Sequence, residues 1–244
     1  MTHSEDAPPC VPLDKGYGLV DGTFLDRPSQ MVLMVHVDGA PARVHMADRG
    51  RLKGVLTPDR TLILARRPEP GRKTAYQAMA AVMDDGTLVS LDTHSPNRLV
   101  KQALERRLFS PLADLPEIKR EVTIGHSRYD FVARGPQGSC VLEVKSAGHI
   151  AADRIARFPD AVTERGRRHV LGLRDLAAGG QRTALLFVVQ GEARAVTPYR
   201  AVDPAFAEAL EAAAEAGVEL YAQQCPLTRA GLIWGSPCPV ILNL

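Results

Sequence analysis

The sequence is poor in paired cysteines, in aromatic residues and in long hydrophobic runs. Its four cysteines are scattered and form no C-x-x-C pair, which argues against a structural zinc site and against a disulfide framework. The longest apolar runs, such as residues 184–189, are far too short to span a bilayer. The first ten residues, MTHSEDAPPC, lack the basic and apolar segments of a secretory signal. We therefore expect a cytoplasmic protein with no membrane partner.

Several common catalytic signatures are missing as well. The chain has no G-x-S-x-G, no Walker A motif and no Rossmann glycine fingerprint, so the usual sequence signals of serine hydrolases, P-loop NTPases and dinucleotide enzymes are absent. Its seven histidines show no paired spacing typical of metal ligands. The chemistry of this chain must therefore be sought among its carboxylates and basic residues.

The charge is unevenly distributed along the chain. Residues 43–73 contain nine basic and three acidic residues, whereas residues 201–244 contain five acidic residues and one basic residue. Such a split predicts a basic face for a polyanion on the N-terminal half. A solvated, arginine-rich surface explains the same composition, and charge alone leaves both interpretations open.

The N-terminal part reads as short strands separated by turns. Strand candidates occupy residues 31–37, 42–46, 61–65, 75–83 and 87–91, and Asp85-Gly86 favours a hairpin turn before the last of them. Many short strands with little helix are typical of a small barrel or sandwich. We assign residues 1–92 to this first domain.

The pattern changes near Thr93, and residues 93–244 form the second predicted domain. A helix starting at Ser95 is followed by strands at 121–124, 128–133 and 140–145. A helix at 162–176, a buried strand at 183–190, a helix at 204–216 and strands at 218–225 and near Val240 complete the order. This alternation predicts an α/β arrangement with a mixed sheet.

Two of the predicted strands carry a cluster of charged side chains. In VLEVKS, Glu143 and Lys145 are two residues apart and share one face of their strand. In RYDFV, Asp130 takes the face opposite to its two aromatic neighbours. If the two strands form a hairpin through the glycine-rich segment 134–139, Asp130 lies beside Glu143 and Lys145.

This cluster predicts a divalent metal site. Asp130 and Glu143 would hold Mg²⁺ or Mn²⁺ through oxygen ligands, with the carbonyl of Val144 completing the protein's share. The ion would activate water against a phosphodiester, and Lys145 would lower the pKa of the water or stabilise the transition state. An E-x-K pair by itself is more often the solvated face of an edge strand. The whole order of elements, however, is the layout of the PD-(D/E)XK nuclease fold.

Further residues are weaker candidates for the same site. Glu105 on the first helix and Glu121 on the first strand could each supply a third acidic group, and Gln190 ends the buried strand. The run that opens the second helix carries Arg165, Arg167, Arg168 and His169 close together, which suits phosphate contacts near the site. A solvated helix face competes equally with that interpretation.

The chain resembles the sugar fermentation stimulation protein A (SfsA) family. The matching segments lie in order between residues 22 and 239, and the most distinctive are SR-x-DF and FPDA-x-TERG. They are DRGRLKGVL (48–56), GRKTAYQ (71–77), SPNRLVKQALE (95–105), SRYDF (127–131), LEVKS (142–146), FPDAVTERGRRH (158–169) and LLFVVQ (185–190).

The resemblance implies an N-terminal OB-fold domain joined to a PD-(D/E)XK nuclease-like domain, together with DNA binding. Its nuclease-like residues fall on Asp130, Glu143 and Lys145, with Glu121 as a companion. OB barrels bind nucleic acid in a positively charged groove, which matches the basic N-terminal stretch. With 5% aromatic residues, phosphate contacts should dominate over base stacking. We expect them from Arg49, Arg51, Lys53, Arg72 and Lys73.

Two functions from different classes follow. The first is a Mg²⁺- or Mn²⁺-dependent nuclease acting on DNA. The second is a catalytically silent DNA-binding transcriptional regulator linked to sugar metabolism. A sugar-binding regulator has only the family's name behind it. The sequence leaves open the choice between DNA and RNA, and the oligomeric state, with a dimer among the options.

Overall fold

The computed structural model describes residues 7–244. Residues 1–6 lie outside the described residues. They include the start of the first predicted domain and most of the ten-residue segment considered as a secretory signal. The chain divides into two compact units. One comprises Cys10–Ser95 and Leu227–Ile233, and the other comprises Pro96–Pro226, Trp234–Leu244 and the described residues up to Pro9. The division thus falls three residues after the predicted one, and the return of Leu227–Ile233 to the first unit was not predicted.

Strands and α-helices follow one another along residues 7–244 in a fixed order. They are β1 (Cys10–Pro12), β2 (Leu19–Ser29), β3 (Val32–Val37), β4 (Ala40–His45), β5 (Thr61–Arg66), β6 (Tyr76–Val82), β7 (Leu88–Ser90), α1 (Ser95–Glu105), β8 (Glu117–Ile124), β9 (Ser127–Gly135), β10 (Gly138–Ala147), β11 (His149–Ile150), β12 (Ile155–Phe158), α2 (Glu164–Ala178), β13 (Arg182–Val189), β14 (Ala195–Pro198), α3 (Pro204–Glu215), β15 (Glu219–Gln224), β16 (Gly231–Ile233) and β17 (Pro237–Cys238).

The first unit is a closed barrel of five strands. Their order is β4-β3-β2-β5-β6, and β4 pairs in parallel with β6 to close the ring. Alternate residues of these strands point inward and form an apolar core that includes Leu33, Val35, Val44, Leu62 and Leu64. Closure removes the exposed edges that an open sheet of this size would leave.

The longest barrel strand, β2, was not predicted. Its sequence, LVDGTFLDRPS, contains Asp, Gly and Pro, which lower strand propensity. The structure explains the glycine by close packing, because a Cβ on Gly22 would lie 2.6 Å from Cγ1 of Val35 on the neighbouring strand. A tertiary contact therefore overrides the local propensity.

The second unit is built on a mixed six-stranded sheet of order β17-β15-β13-β10-β9-β8. Strands β10, β13 and β15 run parallel, whereas β8, β9 and β10 form antiparallel hairpins. A second, three-stranded sheet joins β11, β12 and β14. The apolar faces of α2 and α3 share one core cluster with residues of the main sheet, through side chains such as Val170, Leu173, Phe206 and Leu210.

The predicted fold class is confirmed, since a closed barrel precedes a mixed sheet with helices. Strand β13 is buried along almost its whole length, as its continuous apolar sequence predicts. The short strands β11, β12 and β14 were not predicted, because runs of two to four residues carry no readable period. Among residues 7–244, no helix is long and apolar enough to cross a membrane.

Candidate metal centre

The hairpin of β9 and β10 brings the two predicted carboxylates to one place. Its main-chain pairing runs from Gly138 opposite Gly135 to Leu142 opposite Phe131. One residue further along, Asp130 and Glu143 are the next residues of the two strands.

At this point the carboxylate of Asp130, rather than a main-chain carbonyl of β9, accepts a hydrogen bond from β10. Its Oδ2 accepts a hydrogen bond from the N–H of Val144 at 2.9 Å. The N–H and C=O of one strand residue face the same neighbouring strand, so the carbonyl of Val144 also faces the side of Asp130. The three oxygen-bearing groups proposed from the sequence, Asp130, Glu143 and the Val144 carbonyl, therefore belong to one small region.

A residue from α1 also binds Asp130. The Nδ2 atom of Asn97 donates to Oδ1 of Asp130 at 2.6 Å, so both oxygens of this half-buried carboxylate accept a hydrogen bond. The amide belongs to the segment SPNRLVKQALE, but its contact with Asp130 was not predicted. Burial and the negative charge of Glu143 raise the pKa of Asp130, against the hydrogen bonds from Val144 and Asn97. A nearby cation would relieve this repulsion.

Glu143 is buried and its two oxygens have different surroundings. It is only 3% exposed. Oε1 accepts a hydrogen bond from Nζ of Lys145 at 2.6 Å and lies 2.5 Å from Nδ1 of His169. Oε2 is fully buried and has no hydrogen-bond partner among the described residues. An unsatisfied buried polar atom of this kind costs about 1–3 kcal/mol, so its retention is typical of a site that receives a ligand.

The surroundings of Glu143 keep it ionised. Burial by itself raises the pKa of this carboxyl. The hydrogen bond from His169 and the charge and hydrogen bond of Lys145 outweigh burial and hold the pKa below its usual value. Because β10 lies between β9 and β13, the interpretation of E-x-K as the solvated face of an edge strand is wrong here.

Lys145 is held close to Glu143. Its side chain is only 12% exposed, and its Nζ atom contacts Oε1 rather than standing free in solvent. The prediction that these two residues share a face of the strand is met by this contact. The role of Lys145 in catalysis stays a prediction.

His169 completes the group, although the sequence predicted it only as one of a run of residues for phosphate contacts and not as a partner of Glu143. It lies on α2, 26 residues from Glu143 along the chain. Gly166, His169, Val170 and Leu173 form the buried side of this helix. Their spacing of three and four residues is visible in the sequence, so helical periodicity could have placed His169 on the inner face. No sequence pattern indicated that its partner would be Glu143.

The three accessory candidates have other contacts. The carboxylate of Glu105 is exposed and binds Lys101 on the same helix. Arg120 on β8 pairs with Phe131 on β9, so the next residue, Glu121, falls opposite Asp130. The side chain of Glu121 is exposed and lies 3.5 Å from Arg128. Nε2 of Gln190 donates to Oγ of Ser146 at 2.5 Å.

No third acidic group joins the centre in the described structure. Within residues 7–244, no three His, Cys, Asp or Glu side chains form a group that could hold a metal ion by themselves. The accessory roles of Glu105, Glu121 and Gln190 stay predictions. A metal ion at Asp130 and Glu143 would complete its coordination with the Val144 carbonyl and with water.

The predicted nucleic-acid residues of the barrel lie on two loops. Arg49, Arg51 and Lys53 are exposed in the loop between β4 and β5. This loop is anchored by Arg27, whose guanidinium donates to the carbonyl oxygens of Asp48 and Gly50, and to that of Gln30 before β3.

Arg72 and Lys73 are exposed in the loop between β5 and β6. Burial and the positive charge of Arg72 lower the pKa of His45 at the end of β4, so this loop brings positive charge to the strand pair that closes the barrel. Within residues 7–244, Arg72 has one acidic neighbour, Glu69, at 3.7 Å.

The three arginines of α2 lie on its outer side. Arg165, Arg167 and Arg168 are exposed, and their side chains form no ion pair with any residue that the structure describes. They are available to an anionic ligand, whereas His169 in the same run is turned inward.

Two sequence profiles match the chain in order. The profile described as SfsA N-terminal OB domain matches residues 25–91, and the profile described as Sugar fermentation stimulation protein RE domain matches residues 94–231, more than half of the chain. The chain belongs to the sugar fermentation stimulation protein (SfsA) family. The resemblance drawn from the sequence motifs and the OB-fold assignment of the barrel are thereby confirmed.

Relatives of known sequence cover nearly the whole chain. A sugar fermentation stimulation protein homolog of Chloroflexus aurantiacus is 46% identical over 242 residues, which are 99% of this chain and 93% of the relative. A homolog of Chloroflexus aggregans is 43% identical over 235 residues, 96% of this chain and 90% of the relative.

A solved structure of the family has the same fold. It is described as the structure of Pyrococcus furiosus SfsA in complex with Ca²⁺. It superposes with a TM-score of 0.83 at 29% sequence identity, and the match covers 95% of this chain and 99% of that one.

Proposed function

We propose that this protein is a divalent-metal-dependent nuclease that hydrolyses phosphodiester bonds in DNA. Asp130, Glu143 and Lys145 are its catalytic residues. The observation that carries the proposal is the asymmetry of Glu143, a buried carboxylate with one saturated oxygen and one unpartnered oxygen. Burying such a group costs several kcal/mol unless it is compensated. The contacts of Lys145 and His169 with Oε1 offset part of this cost. A cation bound at Oε2 would offset the remainder.

The donor set fits Mg²⁺ or Mn²⁺. Both are hard or borderline cations that take carboxylate and carbonyl oxygens. Mg²⁺ usually keeps several waters and binds through one or two carboxylates rather than in an all-protein cage. Asp130, Oε2 of Glu143 and the carbonyl of Val144 match that requirement. The relative from Pyrococcus furiosus, solved in complex with Ca²⁺, supports a divalent cation as the ligand of this fold.

The protein's own residues have separate roles. When bound, the ion would lower the pKa of a coordinated water and neutralise charge on the scissile phosphate. Asp130 and Glu143 would hold it in place. Lys145 keeps Glu143 in position through its contact with Oε1, and its ammonium group stabilises negative charge that develops on the phosphate.

The basic residues on the barrel and on α2 provide contacts for the DNA backbone. Those of the barrel lie on the loop that carries Arg49, Arg51 and Lys53 and on the loop that carries Arg72 and Lys73. OB folds bind nucleic acid through their loops and strands, and arginine and lysine contacts to phosphate are independent of sequence. The exposed arginines of α2 extend the same chemistry to the unit that holds the carboxylates.

A second candidate function rests on those basic residues alone. A protein that binds DNA without cutting it, as a transcriptional regulator linked to sugar metabolism, would need the barrel loops and would not need the unpartnered oxygen of Glu143. The two functions differ in what happens to bound DNA when a divalent ion is present.

A cleavage assay separates the two functions. Purified full-length protein is incubated with single-stranded, duplex and branched DNA in Mn²⁺, next to Lys145→Ala and to Lys119→Ala, which removes an exposed lysine of edge strand β8. Cleavage by the wild type and Lys119→Ala, with a loss of about 10²-fold in Lys145→Ala, supports the nuclease. DNA binding without cleavage beyond that of Lys145→Ala overturns it and leaves the regulator.

A further inference from the structure

The contacts around Glu143 are unequal in a way that the catalytic residues alone do not explain. A carboxylate has two oxygens, each of which accepts about two hydrogen bonds. Both acceptor positions of Oε1 are taken, one by Nζ of Lys145 at 2.6 Å and one by Nδ1 of His169 at 2.5 Å. Oε2 is buried and receives none from the described residues. Two donors on one oxygen fix the plane of the carboxylate and leave the other oxygen open to a ligand.

The helix that carries His169 is fixed at its N-terminus. The side chain of Thr163 caps α2 by accepting the N–H of Gly166 at 3.1 Å. The backbone of Thr163 is in turn held by Asp203, whose Oδ2 accepts its N–H at 2.8 Å while Oδ1 accepts the N–H of Phe206 at 2.9 Å. One buried carboxylate therefore ties the starts of α2 and α3 together.

The middle of the same helix packs tightly on the sheet. A Cβ on Gly172 would lie 2.2 Å from the hydroxyl oxygen of Tyr129, so only glycine allows α2 to approach β9 this closely. The rings of Tyr129 and His169 are 6.0 Å apart between centroids, and Val170 and Leu173 beside His169 are completely buried. The imidazole is held from several sides, and its position is a property of the fold rather than of a free rotamer.

We propose that His169 is a positioning residue, which orients Glu143 so that Oε2 is presented to the divalent ion. Nζ of Lys145 already donates to Oε1, and Nδ1 of His169 becomes the second donor to this acceptor oxygen when it carries the hydrogen. Lys145 also supplies the compensating positive charge. The inference deepens the proposed function, since it rests on a metal ion bound at Asp130 and Glu143. It adds a residue from α2 to a site otherwise built from β9 and β10.

Two substitutions separate positioning from simple packing. The amide nitrogen of an asparagine can occupy nearly the place of Nδ1 of histidine, whereas that of a glutamine lies closer to Nε2. His169→Asn can therefore keep the donor to Oε1, and His169→Gln and His169→Ala cannot. Arg174→Ala, on the exposed side of α2, is the matched control.

The test is the affinity of the full-length chain for Mn²⁺ and for Ca²⁺, measured by isothermal titration calorimetry without DNA. We expect His169→Ala and His169→Gln to bind about 10–100-fold more weakly than the wild type. His169→Asn should lie closer to the wild type than to the alanine variant, and Arg174→Ala should match the wild type. Thermal unfolding of each metal-free variant shows whether the chain is folded under the conditions of the titration.

Three outcomes overturn the inference. Equal metal affinity of folded His169→Ala and wild type would show that Glu143 is oriented without His169. Equal losses in His169→Asn and His169→Gln would show that the donor at Nδ1 is irrelevant. A wild-type chain that binds neither ion would remove the metal site and the inference together. In contrast, metal binding with the expected ranking but no DNA cleavage would overturn the proposed nuclease and leave the role of His169 intact.

Discussion

The Nδ2 atom of Asn97 lies 2.6 Å from Oδ1 of Asp130, so helix α1 binds directly to a proposed metal ligand on β9. The two residues are 33 positions apart in the chain. The bond has two consequences: it satisfies a half-buried carboxylate, and it limits the directions in which that carboxylate can turn.

We predict that Asn97→Ala weakens both the fold and the metal site. Loss of a hydrogen bond to a charged group should lower the free energy of unfolding by about 1.5–3 kcal/mol. Metal affinity should fall about tenfold, as it does when a residue that orients a ligand is removed. Urea unfolding and calorimetric titration with Mn²⁺ measure the two effects. Gln102→Ala, on the same helix, should show neither, and an Asn97→Ala chain with unchanged Mn²⁺ affinity would contradict the prediction.

The close approach of Gly172 to Tyr129 predicts that Gly172→Ala lowers the stability of the protein, whereas the same change in an ordinary helix raises it. Alanine is favoured over glycine within a helix by about 1 kcal/mol, but overpacking against the Tyr129 hydroxyl should cost about 1–3 kcal/mol. Gly172→Ala alone should therefore destabilise the protein.

Removing the hydroxyl provides the control for this prediction. In a Tyr129→Phe background the nearest ring carbon would lie 3.5 Å from the new Cβ, an ordinary contact, and Gly172→Ala should become neutral or stabilising. Urea unfolding of the wild type, the two single variants and the double variant measures the coupling. Additive effects would mean that α2 does not approach β9 as closely as the structure indicates.

The cysteines should differ in reactivity according to their burial. Burial raises the pKa of Cys140 and of Cys225 to about 12, and the thiolate is the reactive form. With iodoacetamide near pH 8, the folded chain should therefore be labelled at half-buried Cys10 and Cys238 long before the other two. Peptide mass spectrometry gives the order. All four should react at similar rates in denaturant, and rapid native labelling of Cys225 would contradict the packing around β15.

A charge on a barrel loop should contribute to DNA binding without sequence preference. Lys53→Glu should weaken DNA binding to a similar extent on unrelated sequences, and the slope of log affinity against log salt should become shallower by about 0.9 for each lost phosphate contact. Arg174→Glu makes the same change of charge at an arginine already paired with Asp175. Fluorescence anisotropy at several salt concentrations compares them; equal slopes for both variants would remove Lys53 from the interface.

Much of the fold could be predicted because the evidence for it is local. Helices α1, α2 and α3 show helical spacing, glycines follow the ends of α2 and α3, and the turns around β9 and β10 are marked by glycine. Strand β2 could not be predicted, since its glycine is required by Val35 on a neighbouring strand. Strand β16 also could not, because its partner β1 lies at the other end of the sequence.

The sequence by itself determined the family, the order of the three α-helices and of strands β8, β9, β10, β13 and β15, and the grouping of Asp130, Glu143 and Lys145. Residues two apart on a strand share a face, and a short hairpin brings its two strands together, so spacing alone is sufficient for these three. Only the tertiary structure decided which oxygen of Glu143 is saturated, and that Asn97 and His169 serve the two carboxylates. Both residues lie on helices that are separated from β9 and β10 along the chain, and local sequence patterns carry no information about such pairings.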